Sequence, residues 1–138
     1  MICVIDASLA LSWLFEDEQT PPKMALLRDI SIKGCLVPSL WRLEIANALQ
    51  VTIQRKRIHA EYRDKVLRLL NRLPIEVDEE TDGRAWTDTL QLADTHRLTV
   101  YDACYLELTL RATLPLATCD SELAAAATSA GVKLLETK

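Results

Sequence analysis

Four carboxylates stand where they could share one cation. Asp6 ends a short apolar run, Ile2–Ile5, and Asp120 ends another, Leu116–Cys119. Short β-branched runs of this kind mark strands buried on both faces. Open parallel sheets bind ligands at the carboxyl ends of their strands, and both acids would stand there. Asp102 lies at a predicted helix start, in Thr99-Val-Tyr-Asp102-Ala-Cys-Tyr-Leu106. Glu44 lies within the first two turns of another predicted helix, with Leu40, Trp41 and Ala48 as its neighbours on the helix surface. A charged carboxylate on so apolar a face is costly unless it is paired or bound to a metal. Asn47, one turn further on, is placed to hold it by a hydrogen bond. All-oxygen ligands suit Mg²⁺ or Mn²⁺ rather than zinc. Such a cation lowers the pKa of its water and neutralises the charge that develops on a phosphodiester.

Each acid also has a plainer reading. Asp6, Asp102 and Asp120 are all suited to capping a helix, where a negative charge is favourable in any case. Glu44 could be the buried partner of an arginine. The runs Glu16-Asp17-Glu18 and Asp78-Glu79-Glu80 read as a solvated loop and as acids complementing a helix dipole.

Other chemistries are excluded by composition. The chain has three glycines (Gly34, Gly83 and Gly131), too few for a P-loop or a GxGxxG turn. Its two histidines, His59 and His96, form no HExxH, and there is no GxSxG elbow. Cys3, Cys35, Cys104 and Cys119 form no CxxC pair and are expected as reduced core thiols. No apolar run approaches the roughly 18 to 20 residues of a membrane span. The start, Met1-Ile-Cys-Val-Ile-Asp6, lacks the basic region of a secretory signal, so a cytoplasmic location is expected.

The elements that must position the acids alternate. Strand-like runs at Ile2–Ile5, Cys35–Val37, Ile75–Val77, Leu116–Cys119 and Val132–Leu135 are separated by helix-length segments. Thr20 before Pro21 reads as an N-cap with proline at N1, and Gly34 closes that helix. Further helices are predicted from Pro38-Ser39 to about Arg57, from His59 to Arg72, from Thr81 or Asp82 to His96, from Asp102 to Ala112, and from Ser121 to Gly131. This order predicts an α/β fold spanning residues 1–138 as a single domain, with a mostly parallel central sheet of about five strands flanked by helices.

Taken together the segments resemble the PIN-domain ribonucleases, and specifically the VapC toxins of type II toxin–antitoxin pairs. The resemblance runs through Val4-Ile-Asp6-Ala-Ser8, a helix carrying Trp13-Leu14, and Val37-Pro-Ser-Leu-Trp41-Arg-Leu-Glu44-Ile-Ala-Asn47-Ala-Leu49. It continues through Leu98-Thr-Val-Tyr-Asp102-Ala-Cys-Tyr-Leu106 and Leu114-Pro-Leu-Ala-Thr118-Cys-Asp120-Ser-Glu-Leu123. It implies that Asp6, Glu44, Asp102 and Asp120 form the acidic quartet around Mg²⁺, with Mn²⁺ as a substitute. Ser8, Asn47 and Thr118 match the family's supporting polar positions. Asp6 and Asp102 are the first expected metal ligands and Asp120 the next, with Glu44 ligating or orienting water. The implied reaction is endonucleolytic hydrolysis of RNA, leaving a 5′-phosphate and a 3′-hydroxyl. The implied partners are a cognate VapB-type antitoxin and a second copy of the chain, as a homodimer.

A net charge of −4 is unusual for an RNA-binding protein, but without the quartet acids and bases balance. Residues 42–72 carry +5, with Arg42, Arg55, Lys56, Arg57, Arg63, Lys65, Arg68 and Arg72 against Glu44, Glu61 and Asp64. A basic strip beside an acidic centre suits phosphate positioning. Three other readings stay open: a PIN nuclease of RNA processing, a non-catalytic module whose acids cap helices, and a cysteine hydrolase pairing Cys104 or Cys119 with His96. The apolar surroundings of both cysteines argue against the last.

Overall fold

The computed structural model describes residues 1–138. Its centre is a parallel sheet of short apolar strands: β1 (Val4–Ile5), β2 (Cys35–Val37), β3 (Ile75–Val77) and β4 (Leu116–Ala117), in the order β3-β2-β1-β4. Val4 pairs with Leu36 on one side and Leu116 on the other, so β1 is central. The expected fifth strand contributes a single parallel bridge, Leu116 to Leu134, and the chain beyond it leaves the ladder.

Eight helices cross between and around these strands: α1 (Ala7–Ser12), α2 (Pro21–Lys33), α3 (Trp41–Gln54), α4 (Ala60–Leu70), α5 (Thr81–Arg84), α6 (Asp88–His96), α7 (Val100–Ala112) and α8 (Ser121–Ser129). Thr20 caps α2 by accepting from the Lys23 amide, as the Thr-Pro pair predicts. Gly34 ends it with φ +79°, and a Cβ there would meet the Pro74 carbonyl at 2.8 Å, so the turn into β2 requires glycine. Elsewhere a chain poor in glycine turns on other residues: Lys56, Arg97 and Thr113 all adopt left-handed backbone. The single helix expected from Thr81 to His96 is broken between Arg84 and Asp88. Gly83, a weak helix former, lies just before the break.

The core is one cluster in which Ile5, Leu9, Ile30, Ile45, Leu49, Leu106, Leu116 and Leu123 meet. Helix α7 runs through it, with every residue from Ala103 to Leu108 buried. Cys3, Cys35 and Cys104 are buried as expected, and burial pushes their thiols up to about 12, 12 and 11. Cys119 is a correction: it is exposed, because it follows β4 at the sheet's edge rather than lying within it.

One ion-pair network ties α7 to the end of β3. Arg111 reaches Asp78 at 2.7 Å, Glu107 at 2.9 Å and Glu80 at 3.2 Å. The Arg111 bonds hold the Asp78 carboxyl below the usual range. Asp78 also accepts from Thr81 Oγ1 at 2.8 Å, and that hydroxyl accepts from the Ser39 amide at 3.2 Å, just before α3. Asp78 therefore links Arg111, through Thr81, to the loop that leads to Glu44.

Candidate metal centre

Asp6 is positioned by two strands at once. It leaves β1 and caps α1, its Oδ1 accepting from the Leu9 amide at 3.0 Å. Ser8 Oγ donates to both carboxylate oxygens at 2.8 and 2.9 Å. Thr118, at the end of the neighbouring strand β4, donates to Oδ2 at 2.5 Å. Both hydroxyls in turn accept backbone amides, Cys119 on Ser8 and Asp120 on Thr118, each at 3.0 Å. Their protons are thereby directed at Asp6, which is only 5% exposed. Of the three supporting polar residues, Ser8 and Thr118 meet around Asp6. The third, Asn47, is exposed and forms no hydrogen bond with Glu44.

Asp120 caps α8, its Oδ1 accepting from Glu122 at 2.8 Å and Leu123 at 3.1 Å. These bonds leave Oδ2 available. Asp102 is the third residue of α7 rather than its cap; Thr99 caps that helix and accepts from the Asp102 amide at 3.1 Å. Glu44 is half-buried in the first turn of α3, and the Tyr105 hydroxyl donates to its Oε1. The expected partner, Asn47 or an arginine, is thus a tyrosine from α7. Burial, reinforced by Glu44, pushes the Tyr105 phenol well above its ordinary value.

Electrostatically the four acids form one cluster. Burial pushes Asp6 up, more than its hydrogen bonds pull it down, and Asp120 adds to the rise. Burial raises Glu44 as well, with Asp102 and Asp6 contributing. Asp102 is raised by burial, then by Asp120, Asp6 and Glu122. Glu122, two residues after Asp120, joins the cluster without a distinct signal of its own in the sequence. All six ion pairs of the protein lie elsewhere, so none of the four acids has a cationic side chain against it. No three carboxylates converge to chelating distance as they stand. An all-oxygen set of mutually repelling carboxylates, unneutralised by lysine or arginine, fits a hard divalent cation.

A pH dependence follows. With Asp6, Glu44 and Asp102 raised above their unfolded values, the folded state holds more protons in that window, so stability falls as pH rises through it. Melting in EDTA is therefore expected at a lower temperature at about pH 7.5 than at about pH 5, and Mg²⁺ should remove the difference by mass action. A melting temperature that climbs steadily with pH in EDTA would contradict this electrostatic picture.

The whole arrangement, acids at strand ends included, lies within residues 3–129, which match the family model of the PIN domain. The chain belongs to the PIN domain family. PIN domains are generally metal-dependent nucleases. Among solved structures, PAE2754 from Pyrobaculum aerophilum is 23% identical, with a TM-score of 0.65 over 91% of this chain and 79% of that one. FitAcB from Neisseria gonorrhoeae is 14% identical, with a TM-score of 0.67 over 98% of this chain and 97% of that one. At these identities the likeness is one of fold. Comparison with curated protein sequences gives no match. No helix of this PIN domain is long and apolar enough to cross a membrane.

Proposed function

We propose that this PIN domain is a Mg²⁺-dependent endoribonuclease, with Mn²⁺ able to substitute, and the VapC-type toxin of a type II toxin–antitoxin pair. The observation that carries the reading is the cluster of Asp6, Glu44, Asp102 and Asp120, mutually repelling and free of any cationic partner. Asp6, Asp102 and Asp120 would hold the ion. When bound, it supplies neutralisation of phosphodiester charge and a more acidic water. Asp6, fixed by Ser8, Thr118 and the Leu9 amide, offers a preorganised ligand. Asp120, anchored through Oδ1, offers its other oxygen. Glu44 ligates or orients the attacking water. Water adds across one P–O bond of the RNA, leaving a 5′-phosphate on one fragment and a 3′-hydroxyl on the other.

The test is cleavage of single-stranded RNA by the purified chain, with end-group analysis. Cleavage with Mg²⁺ that EDTA abolishes and Mg²⁺ restores is expected; EDTA-resistant cleavage would reject the reading.

The partners follow from the same chemistry. Carboxylates without cationic neighbours can take a guanidinium bidentately, which suits an Arg-bearing segment of a VapB-type antitoxin. Exposed Trp86 and Leu90 offer apolar surface for a homodimer. A cytoplasmic location follows from an RNA target. Expression that is toxic alone and harmless beside the adjoining upstream gene would support the toxin role. Harmless overexpression of an active chain would count against it.

The RNA backbone is assigned to the α3–α4 side. Arg55, Lys56 and Arg57 are exposed and form no ion pair, unlike Arg63, which pairs with Asp64 at 3.0 Å. Arg55→Glu with Arg57→Glu is expected to weaken RNA binding and flatten its salt dependence by about 0.7 in log–log slope per lost phosphate contact. Lys56 is spared because it holds left-handed backbone. An unchanged slope would leave the run as a solvated face.

A further inference from the structure

Burial disfavours the charge on Glu44 most, the like charges of Asp102 and Asp6 add to this, and the side chain lies only part-way inside the protein. A long side chain so placed can relieve the repulsion by swinging into water. One side-chain hydrogen bond opposes this, from the hydroxyl of Tyr105 to Oε1. Tyr105 is 1% exposed and belongs to the central core, so its ring has no freedom to follow Glu44 outward. It stands three residues after Asp102 on α7, on the same helix face. One rigid helix therefore carries Asp102 and the group that holds Glu44.

We propose that Tyr105 is a positioning residue for the cation site: it ties Glu44 of α3 to the helix that bears Asp102, against the repulsion among the acids, and leaves Oε2 free for the ion or its water. This rests on reading the acid cluster as a cation site. Ser8 and Thr118 do the corresponding work on Asp6. The second partner of a ligand typically changes metal affinity 10–100-fold when removed.

The experiment is Mn²⁺ binding by the full chain, read by electron paramagnetic resonance. Tyr105→Phe keeps the ring that fills the core and removes only the hydroxyl. It is expected to weaken Mn²⁺ binding by about 10-fold or more. In a Glu44→Ala background the same substitution should cause no further weakening, because nothing is left for the hydroxyl to hold. Equal weakening in both backgrounds would show that Tyr105 acts through general packing and would overturn the proposal. Unchanged binding by Tyr105→Phe would overturn it too, while leaving the cation site intact. Failure of the unmodified chain to bind Mn²⁺ would remove the cation site and the proposal together. Should Tyr105→Phe not fold, a crystal structure of the unmodified chain with Mn²⁺ decides: Glu44 still bonded to Tyr105 supports the role, and Glu44 turned away from it overturns it.

Discussion

Asp102→Asn is expected to reduce RNA cleavage at least about 100-fold while raising the melting temperature in EDTA. The first effect follows from loss of a ligand to an ion whose charge stabilisation amounts to several kcal/mol. The second follows from the cluster's electrostatics. Asn keeps the shape of Asp102, and Thr99 still caps α7. What disappears is a charge disfavoured by burial and repelled by Asp120, Asp6 and Glu122. Against this stands the lost attraction of an acid for a helix N-terminus, about 0.3 to 1 kcal/mol. The upward direction of the Asp102 pKa sets the sign: folding disfavours the charged form relative to the unfolded chain, and Asn removes that penalty. A ligand that is also strained by repulsion should show this opposition between activity and stability. Full cleavage by the purified variant, or a lower melting temperature in EDTA, would each contradict the account. Asp6 is less suitable for this test, because an Asn amide would face the hydroxyls of Ser8 and Thr118 that donate to Asp6.

Arg111→Ala is expected to destabilise the fold by about 3 kcal/mol, at the lower end of the range for breaking a buried ion pair. The Glu107 side chain is 5% exposed and that of Asp78 10%, so removing the guanidinium strands two charges with little access to water. For a chain of this size that loss shifts melting by roughly 10 °C. The sign of the pH dependence is opposite to that of the acid cluster. Asp78 is held below its ordinary value, so its contribution is present above the unfolded pKa and is lost as pH falls through the folded one. Glu107→Gln combined with Arg111→Ala should recover part of the loss, since one stranded charge is gone. Urea unfolding at neutral pH measures the effect. A loss well under 1 kcal/mol would show that the network behaves as an exposed surface pair.

Much of the centre could be read from the chain because local signals fix it. Asp6 and Asp120 each follow a short buried run, and the exit of a strand into a helix puts a capping carboxylate at the sheet's carboxyl end. Of the two readings set against each other in the sequence, the capping one holds for Asp6 and Asp120, and capping does not compete with the proposed ligand role, because both residues also line the acid cluster. For Asp102 a local signal was available, since Thr99 three residues before an acid is a capping-box pattern. Tyr105 was not legible. A tyrosine on a fully buried helix reads as core, and only packing of α7 against α3 decides what its hydroxyl meets. Asn47 failed for the complementary reason, because spacing along one helix does not say whether a side chain turns inward. The reduction of the fifth strand to one bridge depends on where the last segment leaves β4. The Arg111 network joins residues 33 apart in sequence, Asp78 and Arg111, beyond the reach of any local pattern.

The central claim is that the carboxylates at the ends of β1 and β4 and at the starts of α3 and α7 hold a divalent cation. Anomalous diffraction from crystals of the chain grown with Mn²⁺ tests this most directly. The account predicts an anomalous peak within ligand distance of the Asp6 and Asp102 carboxylates, lost in Asp102→Asn. Mn²⁺ bound elsewhere, with none at Asp6 and Asp102 in a protein that cleaves RNA, would contradict it.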